Sequence, residues 1–290
     1  MKKFALIGGA GFVAPRHMKA IKDTGNEIIA VLDPHDSVGI IDSYFPDASF
    51  FTEFERFDRH LEKLKRDGYG VDFVSICSPN YLHDAHCRSA LRLGADAICE
   101  KPLVLNPWNL DQLQELENET GKKIYTVLQL RLHTDLIKLK KSMNDSMHKV
   151  HITYITPRGK WYQRSWKGDI TKSGGLATNI GIHLFDMVLW LFGKCEELSV
   201  LKNEPECVSG IIALERALVT FKLSTRRQDL PDGCESFRSI EIDGKQVTLD
   251  KSFNNLHTAI YKDILDGGGF GIEDARPSIE LTHKIREGKI

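Results

Sequence analysis

Phe4-Ala5-Leu6-Ile7-Gly8-Gly9-Ala10-Gly11-Phe12-Val13-Ala14 is the stretch whose reading decides the fold. An apolar, strand-like run over residues 4–8 enters a glycine cluster, and a helix-like segment over 14–24 leaves it. The cluster fits Gly9-x-Gly11-x-x-Ala14 or Gly8-x-x-Gly11-x-x-Ala14. Small residues there let the backbone turn tightly and approach a pyrophosphate held by helix N-terminal amides. Asp33 ends the next strand-like run, residues 27–33. It stands about 20 residues on, where a carboxylate binds a ribose diol. A carboxylate also repels a 2′-phosphate, which favours NAD over NADP. Gly8, Gly11, Phe12, Val13, Ala14 and Asp33 form the first candidate cofactor set.

Outward from this stretch, strand and helix patterns alternate. Helices are expected over 54–67, 81–93 and 107–120, and strands over 72–77, 96–100 and 123–128. Continuous apolar strands in a βαβα order predict a parallel sheet covered on both faces. Right-handed crossovers make it a doubly wound (Rossmann) sheet, with a ligand crevice at the strands' carboxyl ends. The pattern changes after about residue 130, within the usual domain size of ~100–150 residues. Strands are expected over 150–156, 197–201, 211–214, 218–224, 236–242 and 246–249. Asp243-Gly244 marks a hairpin turn. Helices are expected over 181–192, 255–265 and 273–286, and a short loop over 267–269. The expected class is α/β, with a Rossmann domain over 1–125 and an α+β domain over 126–290. The second domain is built on a mainly antiparallel sheet.

The chain has 290 residues, with 39 Lys and Arg against 40 Asp and Glu. That balance lacks the basic excess of a dedicated nucleic-acid binder. No apolar run approaches the ~20 residues of a spanning helix. The most apolar stretch, 181–193, carries His183 and Asp186. Lys2 and Lys3 precede an apolar run too short for a signal peptide. The six cysteines form no CxxC pair, so a reducing cytoplasm is expected. His83, His86 and Cys87 share helical spacing, but no fourth zinc ligand is evident, and no metal is expected. Neither a GxSxG elbow nor a P-loop occurs.

Three further motifs stand in order: Ser78-Pro79-Asn80 followed by His83, then Glu100-Lys101-Pro102, then Gly174-Gly175 through Asn179 to His183. With the glycine turn they resemble the glucose–fructose oxidoreductase/inositol dehydrogenase family (Gfo/Idh/MocA) along essentially the whole chain. Ala14-Pro15-Arg16-His17, Asp33-Pro34-His35-Asp36, Arg158-Gly159-Lys160-Trp161-Tyr162, Ser165-Trp166-Lys167-Gly168 and the segment from Asn179 to His183 resemble one subgroup. It contains UDP-N-acetylglucosaminuronic acid (UDP-GlcNAcA) 3-dehydrogenases of bacterial surface-polysaccharide biosynthesis. The resemblance implies NAD-dependent oxidation of the sugar C3 hydroxyl to a 3-keto product for an aminotransferase. It also implies 2-oxoglutarate as hydride acceptor in some members, homodimers or homotetramers, and a cis Pro102.

On this reading Lys101 accepts the hydroxyl proton, and His183 assists as acid/base or hydrogen-bond partner. Burial or a positive nicotinamide would lower the lysine's pKa toward the operating range. Ser78, Pro79, Asn80, His83, Glu100 and Lys101 complete the cofactor set. Lys101, Arg158, Lys160, Tyr162, Trp166, Asn179 and His183 form the substrate set, with Lys167 in the same basic-aromatic cluster. Arginine forks suit phosphate and carboxylate, and aromatic faces suit a base or sugar. A solvated loop or a subunit contact is the other reading of that cluster. The family commonly has Asp where this chain has Asn179, and an amide can orient a hydroxyl without relaying its proton. The competing functions are a dehydrogenase of UDP-GlcNAc, another nucleotide sugar or a polyol, and a non-catalytic dinucleotide sensor.

Overall fold

In a computed structural model, described over residues 1–248 and 255–288, the chain forms two compact units. One comprises Met1–Val104, Trp108–Gln129 and Asn254–Asp274, and the other Leu105–Pro107, Leu130–Phe253 and Ala275–Ile290. The first unit thus also takes in a helix from late in the chain.

The first unit contains β1 (Lys3–Ile7), α1 (Ala14–Asp23), β2 (Glu27–Leu32), α2 (Ile41–Tyr44), β3 (Ser49–Phe51), α3 (Phe54–Arg66) and β4 (Phe73–Ile76). It continues with α4 (His83–Leu93), β5 (Asp96–Cys99), α5 (Trp108–Thr120) and β6 (Ile124–Thr126). Every strand pairing is parallel, in the order β3-β2-β1-β4-β5-β6. That order reverses between β1 and β4, which places the ligand crevice at their carboxyl ends. The strands are apolar on both faces because helices cover both: β4 is buried at all four positions. α3 keeps its register through Phe57 and Leu61, which it buries, while Lys63, Lys65 and Arg66 complement its carboxyl-end dipole. α4 stops at Gly94, whose φ of 88° is the left-handed value that a helix end favours. β3 escaped the sequence reading because it is a three-residue edge strand.

The second unit contains α6 (Thr134–Ser142), β7 (His148–Ile155), α7 (Lys160–Arg164), α8 (Ile170–Ser173), α9 (Ile182–Phe192), β8 (Cys195–Glu204), β9 (Cys207–Leu214), β10 (Ala217–Ser224), β11 (Phe237–Ile242) and β12 (Lys245–Gln246). Its sheet runs β12-β11-β7-β10-β9-β8 and is antiparallel except where β10 lies parallel to β7. Asp243 and Gly244 both take positive φ, 51° and 75°, as a two-residue hairpin turn requires. Of the strand expected over 246–249, Gln246 is paired and residue 249 lies outside the described residues. α6 was not foreseen, because Leu136 is its one buried residue and no apolar stripe announces it.

α9 is the core helix of this unit: Leu184, Phe185, Val188, Leu191 and Phe192 pack against β7, β9 and β10 residues such as Ile152, Ile212 and Phe221. Truncating Phe185 or Phe192 to Ala would cost about 3–5 kcal/mol. The helical stretch Ile170–Phe192, 23 residues, is long and apolar enough to cross a membrane, contrary to the sequence expectation. It is mostly buried inside the protein, which accounts for its apolarity without a bilayer.

α10 (Leu256–Leu265) packs against α1 in the first unit, and α11 (Ile272–Glu287) carries Leu281 and Ile285 into the second core.

Candidate active site

The glycine turn is built by exclusion. A Cβ on Gly8 would lie 2.6 Å from the Cys77 carbonyl carbon and 2.8 Å from the Ser78 nitrogen, and Gly8 has a φ of 92°. Both facts admit only glycine. Gly8 thus lets the turn pack directly on the backbone that follows β4, and a Cβ on Gly9 would be as tightly placed, 2.5 Å from Val31 Cγ1. Gly11 donates its amide to the Gly8 carbonyl at 3.0 Å, and α1 follows with Pro15 in its first turn. Phe12 is 83% exposed, with the Arg16 guanidinium over its ring at 5.5 Å. Val13 is partly buried at the helix start, and Ala14 is fully buried.

Asp33 sits buried where β2 ends. Its Oδ2 accepts the Ala10 amide at 2.9 Å and its Oδ1 the His35 amide at 2.9 Å. The carboxylate thus braces the glycine turn from the neighbouring strand. Its remaining lone pairs are available to a diol.

The Ser78-Pro79-Asn80 loop follows β4. The Ser78 hydroxyl bonds to His86 Nδ1 at 2.8 Å, and His86 stacks on Phe54 at 5.4 Å. Burial, then the neighbouring His83, pull the His86 pKa down to about 4. Asn80 is buried and Pro79 partly so. His83 has partners within the chain. It is buried, with Nδ1 2.6 Å from the Pro102 carbonyl and Nε2 2.8 Å from the Ser78 carbonyl. Carbonyls only accept, so both contacts are hydrogen bonds at once only in the imidazolium. Burial pulls the ring's pKa down, and the two carbonyls push against it. His83 lies between the Ser78 loop and the Pro102 turn, and as a neutral ring it donates to one of the two carbonyls at a time.

That turn carries Lys101 at the carboxyl end of β5. The Lys101–Pro102 peptide is cis, as the family resemblance implies. Lys101 is half-buried, and its amide donates to Glu100 Oε2 at 3.3 Å. Glu100 itself turns inward. Its Oε1 accepts His17 Nε2 at 3.0 Å and His257 Nε2 at 3.1 Å. Burial raises its pKa, but these two donors outweigh that and hold the carboxyl well below its usual range. The sequence-predicted cofactor role of Glu100 thus has a competing, intramolecular explanation.

In the second unit Asn179 lies in a wide i→i+5 turn over Ala177–Gly181, just before α9. Gly174 and Gly175 precede it with φ of 78° and 77°. Asn179 Nδ2 donates to the Tyr162 hydroxyl at 2.8 Å, and Arg158 stands over the Tyr162 ring at 5.9 Å. Burial raises the Tyr162 pKa against the lowering by Asn179 and Arg158. Lys167 lies over both Trp161 (5.1 Å) and Trp166 (5.5 Å), and burial, then Arg158, lower its pKa. Arg158, Tyr162, Trp166, Lys167 and Asn179 therefore form one neighbourhood. Lys160 is exposed beside it. Trp161 joins it without having been singled out, although its place in a Lys-Trp-Tyr run was a usable signal. His183 is half-buried in the first turn of α9.

A glycine turn that a side chain would block, a braced Asp at the next strand's end and a lysine at the crevice define a dinucleotide-dependent oxidoreductase. Residues 2–128 match the model of an oxidoreductase family's NAD-binding Rossmann fold, and residues 146–208 match its C-terminal alpha/beta domain. The chain belongs to this Gfo/Idh/MocA oxidoreductase family, and its cofactor is NAD. It is similar to the WlbA (WbpB) dehydrogenase from Thermus thermophilus in complex with NAD and alpha-ketoglutarate. That likeness has 48% identity and a TM-score of 0.96, over 99% of this chain and 95% of that one. The Thermus thermophilus enzyme in complex with NAD and UDP-GlcNAcA gives 47% and 0.95 over the same shares. Curated relatives are more distant. The D-glucoside 3-dehydrogenase of Escherichia coli (strain K12) is 27% identical over 126 residues, which is 42% of this chain and 36% of the relative. Among the first such relatives, the match spans 36% to 52% of the relative's length.

Proposed function

We propose that this chain is a nucleotide-sugar dehydrogenase that oxidises the C3 hydroxyl of UDP-GlcNAcA to the 3-keto sugar. The observation that carries the reading is the likeness to a dehydrogenase bound to NAD and UDP-GlcNAcA, at 47% identity over 99% of this chain. NAD fits the first unit by its glycine turn between β1 and α1 and by the Asp33 carboxylate at the end of β2. Gly8, Gly11 and the start of α1 would hold the pyrophosphate, and Asp33 the ribose diol. When bound, the nicotinamide supplies a carbon that accepts hydride.

The chain's own task is the proton and the fit. Lys101 Nζ, neutral at that moment, would take the C3 hydroxyl proton. Arg158 and Lys167 would meet the uronate or diphosphate oxygens, since guanidinium and ammonium groups bind oxyanions through charge-assisted hydrogen bonds. Trp161, Tyr162 and Trp166 would face a ring, and Asn179 and His183 would orient or assist the reacting hydroxyl. The first unit serves the cofactor; the second serves the substrate and assembly into a dimer or tetramer. 2-Oxoglutarate, reduced to 2-hydroxyglutarate, would carry the electrons away. This follows from the ligand of the first relative and from the cationic side chains that a dicarboxylate needs. Six free cysteines accord with a cytoplasmic setting, and the 3-keto product suits surface-polysaccharide assembly.

The test is incubation with NAD and either UDP-GlcNAcA or UDP-GlcNAc, with and without 2-oxoglutarate. Products are identified by mass spectrometry. The uronate should yield a product lighter by two hydrogens, with 2-hydroxyglutarate formed in step. Turnover of the neutral sugar alone would reassign the substrate. NAD binding without any turnover would favour the sensor.

A further inference from the structure

The first unit contains a polar cluster beneath Lys101 that the proposed reaction does not itself use. Ser75 on β4, His17 on α1, His257 and Tyr261 on α10, and Glu100 after β5 are all buried. Four short contacts connect them. Ser75 Oγ lies 2.6 Å from the Tyr261 hydroxyl, and that hydroxyl 2.7 Å from His17 Nδ1. His17 Nε2 and His257 Nε2 lie 3.0 and 3.1 Å from Glu100 Oε1.

The direction of every bond follows from chemistry. An ionised Glu100 can only accept, so both Nε2 atoms donate to it. Burial lowers the His17 pKa, so the ring is neutral and its Nδ1 carries no proton. Nδ1 then accepts from Tyr261, and Tyr261 accepts from Ser75. The chain reads Ser75 to Tyr261 to His17 to Glu100, with His257 closing on the same carboxylate oxygen. Its other oxygen accepts the Lys101 amide.

His17, Glu100 and His257 are also the trio among the described residues whose donor atoms converge closely enough for a metal ion. The protons already account for each contact. A cation would also need an open position or a fourth ligand, as three-ligand sites do.

We propose that His17 and His257 are positioning residues for Lys101. They fix the ionised Glu100 carboxylate, and that carboxylate anchors the backbone from which the lysine projects. A buried carboxylate without donors would protonate or swing away, since an unpaired buried charge is costly. Protonation would weaken the bond from the Lys101 amide, and a swing would release it. This rests on Lys101 being the base, so the experiment reads the lysine both with and without turnover.

The variants are H17L/H257L, which removes both donors, and H17Q/H257Q, whose amide nitrogens can replace Nε2. With UDP-GlcNAcA, the leucine pair should lower kcat by about ten- to a hundredfold, the range a small misplacement near chemistry produces. KM for the sugar and the affinity for NAD should change less than about threefold, because an interaction confined to the transition state lowers kcat alone. The glutamine pair should recover most of kcat. In protein labelled with 15Nζ-lysine, the Lys101 resonance, assigned by its loss in K101R, should move in the leucine pair and return in the glutamine pair. That second reading needs no substrate, so it stands even if the sugar is wrongly assigned. The proposal is overturned if the Lys101 resonance ignores the leucine pair, if kcat and NAD affinity fall together, or if glutamine rescues nothing. Stoichiometric zinc in the purified wild-type protein would overturn it as well.

Discussion

The Lys101 turn and the segment 158–167 carry the two parts of the proposed chemistry, and they are held in opposite ways. Around Lys101 the protein leaves little freedom: Glu100 is fixed by two imidazoles, the Ser78 side chain by His86, and buried His83 stands between the Ser78 and Pro102 carbonyls. Around Arg158 the cationic and aromatic side chains meet mainly through ring faces, with Arg158 and Trp161 exposed and Trp166 and Lys167 half-buried around a buried Tyr162. Proton transfer needs one geometry, and a network of directional bonds provides it. Recognition of a flexible, charged nucleotide sugar tolerates several geometries, and cation–ring contacts adapt to them.

The comparison breaks most easily at Lys101. K101M should lower kcat by about a thousandfold, within the range for a positioned general base, with NAD affinity nearly unchanged. A loss below about tenfold would move the base elsewhere and leave the turn with a purely structural purpose. Next in size, R158M should raise KM for UDP-GlcNAcA by about ten- to a hundredfold, as expected for loss of a charge-assisted hydrogen bond. A similar effect on UDP-GlcNAc would place Arg158 on the diphosphate; an effect on the uronate alone would place it on the carboxylate.

The third test concerns rigidity. Folded His86 binds a proton only near pH 4, whereas the unfolded chain binds one near 6.5. Its stabilising contribution is therefore present above pH 6.5 and is lost as the pH falls toward 4. Urea midpoints should drop between pH 7.5 and 5, and the drop should be smaller in H86Q. An identical drop would show that the Ser78 loop does not govern acid stability. The smallest effect is expected at Lys160, which is exposed: K160A should change the unfolding midpoint negligibly, as most surface substitutions do, and KM by a few-fold at most. A large loss would mean that this exposed segment contains an anchor.

Legibility in the sequence follows the same division. The glycine turn, Asp33 and the strand-end lysine are local patterns, each within one βα unit, and their places were readable from spacing. The bracing behind them was not. His257 and Tyr261 meet Glu100 and His17 across more than 150 positions, and only the packing of α10 on α1 brings them together. His83 was read as a ligand residue because its motif lies beside the crevice. The two backbone carbonyls that its ring meets are partners that spacing does not encode. The parallel pairing of β7 and β10 was likewise hidden, since it depends on a strand inserted far along the chain. Asn179 stands in a legible motif, but its Tyr162 partner could be named only from coordinates.

The return of α10 to the first unit bears on how such a gene can change. A crossover near codon 126 would exchange the glycine turn and Lys101 together, yet leave Tyr261 and His257 with the other parent. The recombinant would draw its first unit from both parents and set one parent's Glu100 and His17 against the other parent's residues at positions 257 and 261. Shuffling of cofactor and substrate halves is therefore constrained to parents that agree at α1 and α10, and drift at those two helices must proceed in concert.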